Sequence, residues 1–124
     1  MVLATGAIER PLVFGNNDLP GVMLASSGQA YANRYGVAVG QRVVICGTSD
    51  LIYDAARALA AVGAQVTVAD VRHQAQVGSL PAGVTVLPGH GIAEVRGRGK
   101  VTGVRLVKLH AERDEVVAAG PTLP

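Results

Sequence analysis

The apolar positions along this chain change their period twice. Arg42-Val43-Val44-Ile45-Cys46 is a short, nearly continuous apolar run, the pattern of a strand covered on both faces in a parallel sheet. Gly47-Thr48-Ser49-Asp50 breaks the run as a tight turn. Leu51, Ile52, Ala55, Ala56, Leu59 and Val62 then recur on one helical stripe, which Gly63 ends. Gln65-Val66-Thr67-Val68-Ala69-Asp70 is a second strand, closing on a carboxylate. Strand, turn, helix and strand within about 30 residues is the size of one βαβ unit.

Less regular segments flank this unit. Met1 to Ala4 reads as a strand already in progress, stopped by Thr5-Gly6. Domains rarely begin inside their own strand, so Met1 reads as the start of an excised segment or as a replacement for an upstream residue. Glu9 to Gly21 is a loop, marked by Pro11, Gly15-Asn16-Asn17-Asp18 and Pro20-Gly21. Val22 to Tyr35 is predicted helical, with Gly36 at the left-handed stop position. After Asp70 the chain is polar and loose to Gly78, and residues 83–87 form a third parallel strand. Ile92 to Arg96 and Val101 to Leu109 are two strands around Gly97-Arg98-Gly99-Lys100, a glycine-rich hairpin. The tail from Ala118 to Pro124, with Gly120, Pro121 and Pro124, is expected to be disordered. The fold class is α/β, a Rossmann-like parallel sheet with a β-meander or hairpin, in one domain over residues 1–117.

Composition narrows the function. The chain has 124 residues and 49% hydrophobic residues, enough for one domain with one modest core. Charged residues are 16% against a usual value of about 25%, which suits a domain with part of its surface covered. No apolar run reaches the roughly 18 residues of a membrane span, and the N-terminus has no signal-peptide core, so a cytoplasmic location is expected. Cys46 is the single cysteine, which excludes an internal disulfide framework and a cysteine-based zinc site. At the end of an apolar strand its thiol is expected to be buried and inert.

The turn after Cys46 is where a dinucleotide fold holds pyrophosphate. That job asks for glycine at three places: for a sharp turn, for backbone approach to phosphate, and for close helix–strand packing. Gly47 meets the first requirement, Ser49 stands at the second place and Ile52 at the third. Asp50 lies at the helix start, where it caps the helix and repels a phosphate. Asp70 follows Ile52 by about 20 residues, the place of the acid that receives the ribose hydroxyls of NAD. Two readings stay open. In one, Gly47, Thr48, Ser49 and Asp70 bind NAD or NADP, with Arg72 facing the extra phosphate of NADP. In the other, preferred because two glycines are missing, the framework survives without its ligand, Asp70 ends a strand at the surface and Arg72 is a solvated loop residue.

Other candidates are weaker. His73, His90 and His110 have no partner at metal-ligand spacing; His90, in the turn Pro88-Gly89-His90-Gly91, reads as an ordinary loop residue. Six of the eleven Lys and Arg residues fall at Arg96, Arg98, Lys100, Arg105, Lys108 and Arg113. This basic hairpin lacks an aromatic residue to stack on a base, so it reads as one solvated face rather than a nucleic-acid interface.

The N-terminal third carries a resemblance. Val2-Leu3-Ala4-Thr5-Gly6-Ala7-Ile8-Glu9-Arg10-Pro11 resembles the Ala-Thr-Gly segment at which two-dinucleotide-domain flavoproteins leave their first nucleotide domain for an inserted second one. Together with Phe14, Asn17-Asp18-Leu19-Pro20-Gly21-Val22-Met23-Leu24-Ala25, Tyr31, Asn33-Arg34-Tyr35-Gly36-Val37 and Gly40, it looks like the alpha subunits of heterotetrameric sarcosine oxidase. Related opine-oxidase and cyanide-synthase subunits share the Glu-Arg-Pro and Leu-Pro-Gly-Val-Met elements. The resemblance covers residues 1 to about 110. It implies a parent oxidoreductase that demethylates sarcosine oxidatively and uses NAD, FAD and FMN across several subunits. Its NAD would be held mainly by a first domain whose fingerprint is absent here. It also implies that Thr5 and Gly6 lie near that first domain's dinucleotide, and that this domain packs against the rest of the alpha subunit and the other oxidase subunits. No catalysis is expected of the chain alone, no nucleic-acid or membrane partner is expected, and an exposed apolar face on the isolated domain is expected to allow pairing as a homodimer.

Overall fold

The computed structural model describes residues 2–4, 8–74, 77–110 and 116–123. In chain order the elements are α1 (Ala25–Tyr35), β1 (Arg42–Gly47), α2 (Leu51–Ala61), β2 (Gln65–Asp70), β3 (Val84–Pro88), β4 (His90–Gly97), β5 (Val101–Leu109) and β6 (Val116–Leu123). They form three layers: two helices, a parallel sheet ordered β1-β2-β3, and an antiparallel meander ordered β4-β5-β6.

The continuous apolar character of β1 and β2 follows from this layering. Successive side chains point to opposite faces, and both faces are covered. Val43, Ile45, Val66 and Val68 pack toward the helices with Ile52, Ala56 and Leu59. Val44, Cys46, Ala69 and Leu87 pack toward the meander with Val95, Val104 and Leu106. In the ladder, Gly47 stands beside Asp70 and Asp70 beside Pro88, so the three parallel strands end in one row. That row, with the turn into α2, is where the candidate residues gather.

Helix α1 begins three residues later than the apolar pattern predicts. Leu24 is extended, and the first free amides of the helix are satisfied from a distance. The Glu9 carboxylate accepts from the backbone N–H groups of Ala25 and Ser26, both at 3.0 Å. A carboxylate at a helix N-terminus satisfies orphan donors and complements the helix dipole. The helix ends at Gly36, in the left-handed conformation at φ 62°, which suits a residue without a β-carbon. The 9–21 loop is as expected, and it docks on β4: Gly15 N–H donates to Ala93 O at 3.0 Å and Val95 N–H to Gly15 O at 2.9 Å.

Two expectations are corrected. Val2 to Ala4 form no strand, and Val2 and Leu3 are exposed, because no neighbouring strand pairs with them. The tail expected to be disordered from residue 118 is instead part of β6, antiparallel to β5. Its Gly120-Pro121 pair falls where the register slips between Arg105 and Val107. An edge strand with a bulge tolerates a proline that cannot donate to the ladder.

Candidate functional site

The turn from β1 into α2 is built around one tight contact. A β-carbon on Gly47 would stand 2.6 Å from Cγ2 of Ile52. Ile52 is buried and belongs to the helix-side core. Close helix–strand approach is therefore obtained by the absence of a side chain on the strand, with a bulky residue on the helix. Thr48, Ser49 and Asp50 are exposed. Asp50 makes no side-chain capping hydrogen bond, contrary to expectation. Its Oδ1 pairs instead with Arg72 Nη1 at 2.9 Å.

Asp70, expected at the surface, is fully buried. Its Oδ2 accepts from the Tyr53 hydroxyl at 2.6 Å and from Arg72 Nη2 at 2.9 Å. Its Oδ1 accepts from the Arg72 backbone N–H at 2.9 Å and from Arg72 Nε at 3.0 Å. A carboxylate offers about four lone-pair sites, and these four donors use them. Arg72 is not a freely solvated side chain either: it spans Asp70 and Asp50 as a fork, the planar geometry that guanidinium makes with carboxylates. Val71 N–H donates to Gly47 O at 3.1 Å and ties the ends of β1 and β2 together.

The electrostatics follow from this geometry. Burial opposes the charge on Asp70, but the hydrogen bonds from Arg72 and Tyr53 outweigh it and hold the carboxyl below its usual range. Burial first, then the hydrogen bond to Asp70 and its charge, push the Tyr53 phenol up to about 12. Hydrogen bonds to Asp70 and then Asp50 push Arg72 further up. Tyr53 was not singled out from sequence. Its signal was weak: one aromatic on the helix face that meets the second strand, 17 residues before its acid.

The remaining candidates separate from this cluster. Thr5 and Gly6 lie outside the described residues. Cys46 is half-buried, and burial raises its thiol pKa, with the Asp70 charge adding to the effect; this agrees with an unreactive thiol. His90 opens β4, with Nδ1 at 2.8 Å from Pro88 O. Among the described residues no group of three His, Cys, Asp or Glu side chains could hold a metal ion. No helix is long and apolar enough to cross a membrane, among the residues described. In the basic hairpin, Arg96 and Arg105 both pair with Glu94, at 3.0 and 3.1 Å. Two of its six cations are thereby committed within the fold, and Arg113 lies outside the described residues.

Comparison with known proteins adds ancestry to this geometry. The chain is 41% identical over 119 residues to the sarcosine oxidase subunit alpha of Corynebacterium sp. (strain U-96). It is 53% identical over 77 residues to the same subunit from Rhizobium meliloti (strain 1021). These matches cover 92% and 61% of this chain. The chain spans only 12% and 8% of those relatives. No family model matches. Among solved structures, the thioredoxin reductase of Lactococcus lactis superposes with a TM-score of 0.61 at 18% identity, covering 93% of this chain and 40% of that one. The thioredoxin reductase of Gloeobacter violaceus gives 0.62 at 16% identity, covering 96% and 36%. At such identities the likeness concerns the fold alone. That fold is the α/β domain with a parallel three-stranded sheet and an antiparallel meander found in two-dinucleotide-domain flavoproteins.

Proposed function

Because the chain is a homologue of a segment of the sarcosine oxidase alpha subunit, we propose that it is the inserted Rossmann-like domain of a subunit of that type. Its role is architectural, and it makes no working dinucleotide site of its own. The parent would be an oxidoreductase acting on sarcosine or a similar secondary amine, with flavin and nicotinamide cofactors held elsewhere. The domain would pack against the rest of the alpha subunit and against neighbouring subunits.

The observation that carries the architectural reading is the saturation of Asp70. The acid at the ribose position is buried and accepts four hydrogen bonds from this chain's own Tyr53 and Arg72. A ribose hydroxyl reaching it must displace one of them. The phosphate end of the motif fits no better. Ile52 fills the space above Gly47, and the Asp50 carboxylate stands at the helix N-terminus, where a phosphate needs bare amides and positive dipole. The turn and the acid therefore do not fit a dinucleotide.

Thermal unfolding with NAD, NADP and FAD at millimolar concentration tests the reading. A ligand at a hundred times its Kd stabilises the folded state by about 2.7 kcal/mol, a shift of several degrees for a domain of this size. The expected midpoint is unchanged by all three. A concentration-dependent rise with NAD or NADP contradicts the reading.

A further inference from the structure

Residues 94–105 hold four cations, Arg96, Arg98, Lys100 and Arg105, and one acid, Glu94. In the β4–β5 ladder Glu94 stands beside Arg105, and Arg96 beside Gly103. Opposed residues share a face of the sheet, and so do residues two apart along a strand. Val95 and Val104 point from the other face into the core. Glu94, Arg96 and Arg105 therefore lie together on the outer face of the meander. One oxygen, Oε1 of Glu94, accepts from Arg96 Nε at 3.0 Å and from Arg105 Nε at 3.1 Å. Glu94 is itself fixed in the sheet between Arg105 and Gly15. Each guanidinium thus bonds through Nε, and its forked Nη end has no acceptor among the described residues. The Arg96 and Arg105 side chains keep 54% and 38% of their surface exposed. Two open forks are held side by side by one carboxylate.

We propose that this arginine pair is a docking point for a partner protein, whose acidic segment lies across the outer face of the meander and gives a carboxylate to each fork. The inference rests on the reading of the domain as one that packs against neighbouring subunits, and gives that packing a surface. A guanidinium fork matches a carboxylate in two parallel N–H···O bonds. Glu94 lowers the ordering cost of that grip, because it fixes both side chains before the partner arrives. Arg98 and Lys100, at the hairpin tip, attract an acidic partner at longer range. The shape of the tip is set by Gly97, where a β-carbon would collide with the Lys100 carbonyl, and by Gly99 at φ 79°. The same cluster selects the class of partner. A carboxylate between the two arginines is compatible with spaced acidic side chains and opposes a continuous polyphosphate chain. Residues 94–105 also hold no aromatic side chain on which a base could stack.

Titration of the 124-residue chain with deca-glutamate at low salt, followed on the Nε–Hε signals of Arg96 and Arg105, tests this. Saturable shifts at both side chains are expected, with an affinity that falls as salt rises. The double variant Arg96→Lys/Arg105→Lys keeps the charge and loses the forks, and should bind at least about tenfold more weakly. Glu94→Ala separates orientation from charge by a second route. It makes the face more positive but releases both arginines, and should bind no more tightly than the wild type. No saturable shift at low salt overturns the proposal. So does equal affinity in the double lysine variant, or tighter binding by Glu94→Ala, either of which reduces the face to a diffuse positive charge. Tighter binding of an oligothymidylate of equal charge overturns it in favour of a nucleic acid. The NAD titration reads Asp70 and the peptide titration reads Arg96 and Arg105, so failure of the architectural reading and failure of this proposal are seen separately.

Discussion

Cγ2 of Ile52 lies 2.6 Å from the place a β-carbon would take on Gly47. In a dinucleotide fold glycines at this turn make room for phosphate and for the helix. Here the room at Gly47 is used by the isoleucine of the same turn. Gly47→Ala should therefore destabilise the domain by about 1–3 kcal/mol, because a β-branched side chain is stiff at χ1 and cannot swing aside. Ile52→Ala should cost about 2–5 kcal/mol on its own. In the double variant the loss should fall short of the sum, since the clash is gone. Urea unfolding of the three variants checks this, and strict additivity contradicts the packing account.

Tyr53 and Asp70 give the domain an alkaline limit. The Tyr53 phenol titrates at about 12 in the folded state and near 10 in an unfolded chain. The raised value means that folding favours the protonated phenol. Its contribution is present in full below pH 10 and is lost as the pH rises toward 12. The wild type should therefore lose stability across that window, and Tyr53→Phe should lack this component. At neutral pH the same variant should be less stable by about 1–3 kcal/mol, because it leaves one buried acceptor site of Asp70 unfilled. Thermal midpoints measured from pH 8 to 12 test both statements.

The acid limb has the opposite sign. Asp70 is held below its usual range, so its contribution is present above about pH 4, the unfolded value. It is lost as the pH falls through the lower folded value. Glu94, paired with Arg96 and Arg105, is depressed as well and adds to the same limb. Asp70→Asn should flatten the fall in stability below pH 4 without abolishing it, and the remaining slope should diminish in Glu94→Gln. Denaturant midpoints between pH 2 and 6 report this directly.

Glu9 fastens the N-terminal segment to α1 through two hydrogen bonds at 3.0 Å. Glu9→Ala should lower stability by about 1 kcal/mol or less. The amides of Ala25 and Ser26 should exchange faster while those of α2 are unchanged. Native-state hydrogen exchange distinguishes this local fraying from a global loss.

The sequence was most legible where period alone decides structure. The limits of β2 and β5 coincide with the apolar patterns at 65–70 and 101–109, and α2 ends at Ala61, one residue short of Val62, the last position of the predicted stripe. It was least legible where a residue acts across a distance. Glu9 reaches 16 residues forward to cap α1, and no local pattern announces that. Asp70 and Tyr53 are 17 residues apart and meet only because α2 packs on β2. The Asp70–Arg72 spacing was a usable signal, because an Asp side chain commonly bonds the backbone two residues on. The strand at 116–123 was hidden by Gly120 and Pro121, which mark a disordered tail unless an edge such as that of β5 accepts them at a bulge.

The most direct test of the architectural account is an amide chemical-shift titration of the labelled chain with NAD, NADP and FAD in parallel. The account predicts no saturable shift at Gly47, Thr48, Ser49, Asp50 or Asp70 at millimolar ligand. Saturable shifts at those five residues with NAD would mean that the nucleotide displaces Arg72 or Tyr53 from Asp70, and would contradict it.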